Sequence, residues 1–441
     1  MNAILLLMGL LILSYLGSFL VTGRAVRGIG LPSGAEYVAL GFVLGPHVLG
    51  VVERTMLVSF EPIAHVALGW LALVIGLDFG FAGDRRVRLR SVVLGILGAL
   101  ITGGAVFGAV LLLLQRFPIV PPGLDRWLLA GGVAAACAET TRHAVRWVVE
   151  RHKAEGRVAN LLAEISHADD VVPLLAVAAL FALTPKAAHI PWHIPIAGWL
   201  GTTVVLGFGL GAIAALLLGR EFSLHTTWGV LLGTSLLAIG VASRLELAPL
   251  AVTFFMGIGM AAVSRHRALI RDAVAPTERP VLLPALLLAG ASINLHSLQS
   301  TRGLLAVIAA AIVARLVAKV FFGELVRLVL PAARPAGGLV GIGLLSSGAV
   351  SMSIGLVLAL RFPGVVGDTV LVTAAVSAVF GEFVAPAALK RALVRAGEVP
   401  LEIEPLAVDA SPALPDAPID PTAVATLPTP TSASTEEPAT R

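Results

Sequence analysis

Two adjacent carboxylates, Asp169 and Asp170, sit near the middle of the apolar run ANLLAEISHADDVVPLLAVAALFAL. An ionisable group in hydrocarbon costs a few kcal/mol even on lenient insertion scales, so it is paired, hydrated or used. Neither aspartate is close to a lipid headgroup. On a helix the two point about 100° apart, so that one can face a cavity while the other turns to a neighbouring helix. Pro173 has no N–H to offer the Asp169 carbonyl, which leaves that oxygen free to help coordinate a cation. Carboxylates are hard oxygen ligands, suited to Na+ and similar cations. They also bind H+, so one such group can exchange a proton for a metal ion. The competing reading is a buried acid pair held by basic neighbours for packing alone.

Positive partners are present. The run LLAVIAAAIVARLVAKVFFGELVRL carries Arg315 and Lys319, which at i and i+4 share a helix face. A salt bridge from Lys319 to Asp169, with Asp170 left for the ion, is the simplest arrangement. Alternatively, both cations neutralise Glu324 or lipid phosphate. Two further apolar runs are interrupted by polar residues: Glu139-Thr140-Thr141-Arg142-His143 in one and Ser346-Ser347-Gly348 in the other. Helices broken near the midplane offer their dipoles and free backbone groups to an ion. Neither interruption contains proline, so hydroxyls bonding back to their own helix are the plainer alternative, and Glu139 and Arg142 can form an i, i+3 pair. His167 lies three residues before Asp170 and can tune its proton affinity or serve structure only. Thr140, Thr141, Ser347, His167, Glu139 and Arg315 are therefore the supporting residues around Asp169, Asp170 and Lys319.

The elements that must position these residues follow from composition. Of 441 residues 57% are hydrophobic and 13% charged, against roughly a quarter charged in soluble domains. Apolar runs long enough to span a bilayer recur throughout, and an all-α polytopic membrane protein is expected. About 13 transmembrane helices are predicted, near 2–21, 31–50, 58–79, 91–114, 127–148, 158–183, 195–218, 226–243, 247–263, 280–296, 303–330, 337–360 and 366–389. Gly207, Gly209 and Gly211 are small residues of the kind that let such helices approach closely. An odd count fits two inverted six-helix repeats joined by the seventh span, with the fifth and twelfth spans as equivalent discontinuous crossing helices.

The loops after odd-numbered spans hold most of the basic residues, among them Arg85, Arg86, Arg88, Arg90, Arg151, Lys153 and Arg157. The positive-inside rule then sets the N-terminus outside and the C-terminus in the cytoplasm. The first run reads as a span, not a cleaved leader. Residues 397–441 are rich in Pro, Ala, Thr and acidic residues and read as a disordered cytoplasmic tail. Cys137 is the single cysteine, which rules out an intramolecular disulfide. The net charge of +4 is spread between spans and not gathered into a nucleic-acid patch. No nucleophile–base pair or phosphate loop occurs, so neither enzymatic activity nor a cofactor is expected.

The order of these features resembles the monovalent cation/proton antiporters of the second type, which include bacterial Na+/H+ and K+/H+ exchangers. The resemblance covers about residues 31–395. ALGFVLGPHVLGVV is similar to the family's second-span stretch, and LALVIGLDFGFAGDRRVRLR to its third-span acidic end and basic loop. AEGRVANLLAEISHADDVV is similar to its double-aspartate segment, AGASINLHSL to the end of span 10, and LVAKVFFG to its lysine motif. The resemblance implies that Asp170 binds the cation and the proton, with Asp169 as its partner and second ligand and Lys319 bridging to Asp169. It also implies a homodimer in the inner membrane, its mobile core (about 91–183 and 303–393) working against a dimerising scaffold (about 1–79 and 226–296). Membrane transport domain 1–396 would then exchange H+ for Na+ or, second, K+. Three departures stand out, one being a stretch between Arg157 and Asp169 longer than the family's usual spacing. Thr140-Thr141-Arg142 lacks the family's proline, and Ser347-Gly348-Ala349 stands where Arg-Gly-Glu is common. Two other functions fit the same scaffold: a sodium-coupled organic-anion symporter using Arg142 or Arg315, and a non-transporting membrane sensor.

Overall fold

The computed structural model describes residues 35–82, 85–117, 119–184, 195–219, 224–293 and 303–400. The expected first span and the tail beyond Pro400 lie outside them, as does half of the AGASINLHSL stretch. The described chain is helical apart from a two-residue ladder that pairs Phe81 with Arg86 and Ala82 with Arg85.

The helices are α1 Ala35–Leu44, α2 Arg54–Asp78, α3 Leu89–Arg116, α4 Leu124–Ala138, α5 Arg142–Arg151, α6 Arg157–Ser166 and α7 Val171–Leu183. They continue with α8 Ile196–Leu218, α9 Leu224–Arg244, α10 Pro249–Val263, α11 Arg267–Val274 and α12 Glu278–Ala291. The last four are α13 Leu304–Val329, α14 Leu339–Gly343, α15 Ala349–Arg361 and α16 Val365–Arg395. Among the described residues seven helical segments are long and apolar enough to cross a membrane, and Pro249–Val263, Pro280–Ala291 and Ala349–Arg361 are shorter apolar helices. This is a multi-pass membrane protein.

Two groups of helix contacts, joined by others across them, make up one packed unit. In one group, α10 lies against α2 and α8, and α12 against α1. In the other, α4 packs on α3, α7, α15 and α16, while α13 packs on α3 and α14. Without a hydrophobic difference between lipid and side chains, packing has to come from close backbone approach. The crossing of α2 and α10 shows how: a Cβ on Gly257 would lie 2.8 Å from the Gly76 Cα. Gly207 and Gly211 likewise meet the α10 backbone, whereas Gly209 has open space beside it.

Candidate functional site

The predicted fifth span is two helices. α4 ends at Ala138, Glu139 and Thr141 take extended backbone angles, and α5 begins at Arg142. The predicted twelfth span breaks in the same way between α14 and α15, across Leu344–Gly348. No proline is needed, because each break satisfies the other's backbone groups. The Thr141 N–H donates to the Ser346 carbonyl at 3.0 Å. The Thr140 hydroxyl donates to the Leu344 carbonyl at 3.2 Å, and the Gly348 N–H to Glu139 Oε1 at 3.2 Å. Freed backbone groups in an apolar interior are tolerated only when paired in this way. Gly348 is required at the crossing, since a Cβ there would come within 2.7 Å of the Thr141 Cβ.

Arg315 ties this crossing together. One terminal nitrogen donates to Ser347 Oγ at 2.8 Å and Ser377 Oγ at 2.7 Å, and the other to the Glu139 carbonyl at 2.8 Å. One turn further along α13, Lys319 Nζ donates to Thr140 Oγ1 at 2.6 Å and stands 4.0 Å from Asp169 Oδ2. The expected Lys319–Asp169 ion pair is present, with the Thr140 hydroxyl as the nearer partner. Glu324 pairs with Arg327 at 2.7 Å instead of drawing on Arg315 or Lys319.

Asp169 and Asp170 occupy the His167–Asp170 turn between α6 and α7, 2% and 4% exposed. Pro173 lies in the first turn of α7. The Asp170 carboxylate makes neither a hydrogen bond nor an ion pair with a described residue, whereas its backbone carbonyl accepts the Leu174 N–H at 3.3 Å. Asp169 Oδ1, Glu139 Oε2 and Ser346 Oγ are buried with no hydrogen-bond partner among the described residues. Unsatisfied buried oxygens of this kind cost free energy unless an ion, a proton or water meets them. His167 belongs to the turn, not to the helix face that would have aligned it with Asp170, and its Nδ1 has no hydrogen-bond partner.

The local Glu139–Arg142 pair does not form. The break starts a new helix at Arg142 and sends its side chain to the other helix group. Arg142 pairs with Asp78 at 3.4 Å and Glu278 at 3.0 Å, His143 Nε2 lies 3.0 Å from Glu278, and Arg271 pairs with Asp78 at 2.6 Å. At the far end Arg361 donates to Glu246 at 3.2 Å and to the Thr184 carbonyl at 2.9 Å. Within these sets of bonds, the Arg142 bonds to Asp78 and Glu278 and the Arg361 bond to Glu246 run between the two groups of helices. Asp78 and Glu278 carried the only sequence signal for the first set: each is an acid at the end of an apolar run. Glu398 was also missed; it accepts hydrogen bonds from Val158 N at 2.7 Å and Ala159 N at 2.8 Å, capping α6.

Glu278→Gln is expected to cost about 2–4 kcal/mol, since it breaks a largely buried ion pair. Glu150→Gln, which touches the exposed Arg146–Glu150 pair, costs under about 1 kcal/mol. Unfolding midpoints in detergent compare the two.

Among the described residues no three His, Cys, Asp or Glu side chains cluster as a metal centre would require. What the geometry offers is one carboxylate with no hydrogen bond or ion pair to a described residue, beside a second held by a lysine, at the crossing of two broken helices. The family model for the transmembrane domain of sodium/hydrogen exchangers matches residues 15–395. The chain belongs to the sodium/hydrogen exchanger family. The family consists of transporters, so the protein is not an enzyme and needs no cofactor. Two structures of the sodium proton antiporter MjNhaP1 from Methanocaldococcus jannaschii share the exchanger's fold. The first, at pH 8, is 17% identical with a TM-score of 0.64, and the match covers 90% of this chain and 98% of that one. The second, from electron microscopy, is 18% identical with a TM-score of 0.57, covering 91% and 99%. A comparison with curated protein sequences gave no match. The exchanger lacks the proline and the Arg-Gly-Glu common at the two breaks, yet both breaks form.

Proposed function

We propose that this exchanger carries H+ against a monovalent cation, Na+ first and K+ second, by alternating access, and that Asp170 binds one or the other but never both. The observation that carries the reading is Asp170 itself, a buried carboxylate with no hydrogen bond or ion pair to a described residue while Lys319 attends to Asp169. Asp169 is the second ligand. Glu139, Thr140, Thr141, Ser347 and Arg315 hold the crossing in shape, and His167 lies alongside. The mobile core is about 91–183 and 303–393, and the scaffold, about 1–79 and 226–296, makes the homodimer. The N-terminus lies outside the inner membrane and residues 397–441 form a cytoplasmic tail. The ion pairs from Arg142 and Arg361 to the opposite helix group hold the site shut from both ends, and each must open in turn. The organic-anion reading is disfavoured, because Arg142 and Arg315 are both committed to protein acceptors.

The experiment is proton flux in sealed proteoliposomes with a pH-sensitive dye, adding Na+, Li+ and K+ in turn. A signal that saturates with Na+ is expected. Silence with every cation, from folded protein at mildly acidic to mildly alkaline pH, would overturn the reading and leave the sensor or symporter in its place.

A further inference from the structure

The loop before α3 and the start of α6 enclose a cavity of about 800 Å³ lined by Arg86, Arg88, Arg90 and Arg157. All four arginines are exposed, and none has an ion pair with a described residue. Glu164 is the one acid among the described lining residues, and it already accepts the Ser91 hydroxyl. The preference of basic residues for one side of a membrane accounts for arginines in these loops. It does not account for arginines from two separate segments, 86–90 and 157, converging on one concavity. Like charges brought together repel, and an anion between them reverses the sign of that interaction.

The backbone adds to the same field. α3 is 28 residues long and starts in this cavity, and its N-cap Arg88 provides no side-chain acceptor for the first amides. The positive end of a long helix favours an anion at that position. Guanidinium groups match the oxygens of a phosphate in paired, parallel hydrogen bonds. The rim is apolar: Leu161 and Leu330 line the cavity together with Leu89, which is 77% exposed.

We propose that this cavity binds a phosphate-bearing anion, with the apolar rim favouring the headgroup of an anionic phospholipid over free phosphate. A basic cavity between helices at a membrane face is the expected form for such a headgroup site. The Ser91–Glu164 bond already joins α3 to α6, and Arg157 and Asn160 of α6 line the cavity. A bound phosphate would therefore fasten α3 to α6, the helix that leads into the Asp169–Asp170 turn. The proposal does not depend on which ion is exchanged.

The test is a binding titration on the purified full chain in neutral detergent, read by native mass spectrometry and by the unfolding midpoint. The probes are dioctanoyl phosphatidylglycerol, dioctanoyl phosphatidylcholine and inorganic phosphate. Saturable binding of the phosphatidylglycerol is expected, weakened at least about tenfold by the Arg88→Gln/Arg157→Gln double substitution, since a hydrogen bond to a charged group is worth about that much. Inorganic phosphate binding and competing at similar concentrations would assign the cavity to free phosphate. Phosphatidylcholine binding equally well, or binding unchanged by the double substitution, would overturn the proposal. If the double variant does not elute as folded protein, Arg90→Gln alone is titrated, and the same tenfold loss decides.

Discussion

Asp170→Asn is expected to abolish cation-dependent proton flux while leaving the protein folded. The amide is nearly isosteric but has no charge to exchange between a proton and a metal ion. Losing a charged ligand worth about 3 kcal/mol or more lowers flux by at least about a hundredfold. Stability should hold, because Asp170 has no described partner to orphan, and removing it relieves repulsion with Asp169. Asp169→Asn is the contrasting case: it leaves the buried Lys319 ammonium with Thr140 alone. Flux in proteoliposomes and the unfolding midpoint in detergent separate the two. Retention of more than about a tenth of wild-type flux by Asp170→Asn would shift the ion-binding role to Asp169 or Glu139.

Arg315→Met should cost about 3–5 kcal/mol, the range for removing one member of a buried charged set. Arg315 is 1% exposed and is bonded to both helix breaks and to Ser377 on α16. Its loss would leave the Glu139 carbonyl without that donor and the Ser347 and Ser377 hydroxyls without their cation. Arg315→Lys keeps the charge but not the planar fork that reaches acceptors in two directions, so it should recover less than half of the lost stability. Chemical unfolding in detergent measures both substitutions. An unchanged midpoint for Arg315→Met would mean that the breaks hold through their mutual backbone bonds alone.

Much of the site was legible because charge in an apolar run is a loud signal. Asp169, Asp170, Arg315 and Lys319 announce themselves by cost, and the i, i+4 spacing places the last two on one face. The breaks were harder to read. Glu139–Thr141 and Leu344–Gly348 carry no proline, and what holds them open is the other break, some two hundred residues away. For the same reason Arg142 was expected to pair locally. Only the new helix start turns it toward Asp78 and Glu278, whose positions at run ends look like ordinary interfacial acids. Helix positions were readable from apolar length alone: α8 at Ile196–Leu218 and α13 at Leu304–Val329 fall within a residue of the expected spans. Interruptions cannot be read that way, because hydropathy averages over a break.

The crowded centre has a consequence in simple electroneutrality. Glu139, Asp169 and Asp170 are buried with Arg315 and Lys319; ionised together, these five groups sum to one excess negative charge, while Arg142 and Arg271 are balanced by Asp78 and Glu278. A single proton or a single monovalent ion cancels it, whereas a divalent ion would overshoot by the same amount in the opposite sense. Moving an uncancelled charge through a low-dielectric barrier is expensive. The empty carrier and the carrier holding a divalent ion would then be the two forms that cannot cross. If exchange runs at Asp170 as proposed, charge arithmetic by itself would suppress leak and disfavour Mg2+ and Ca2+.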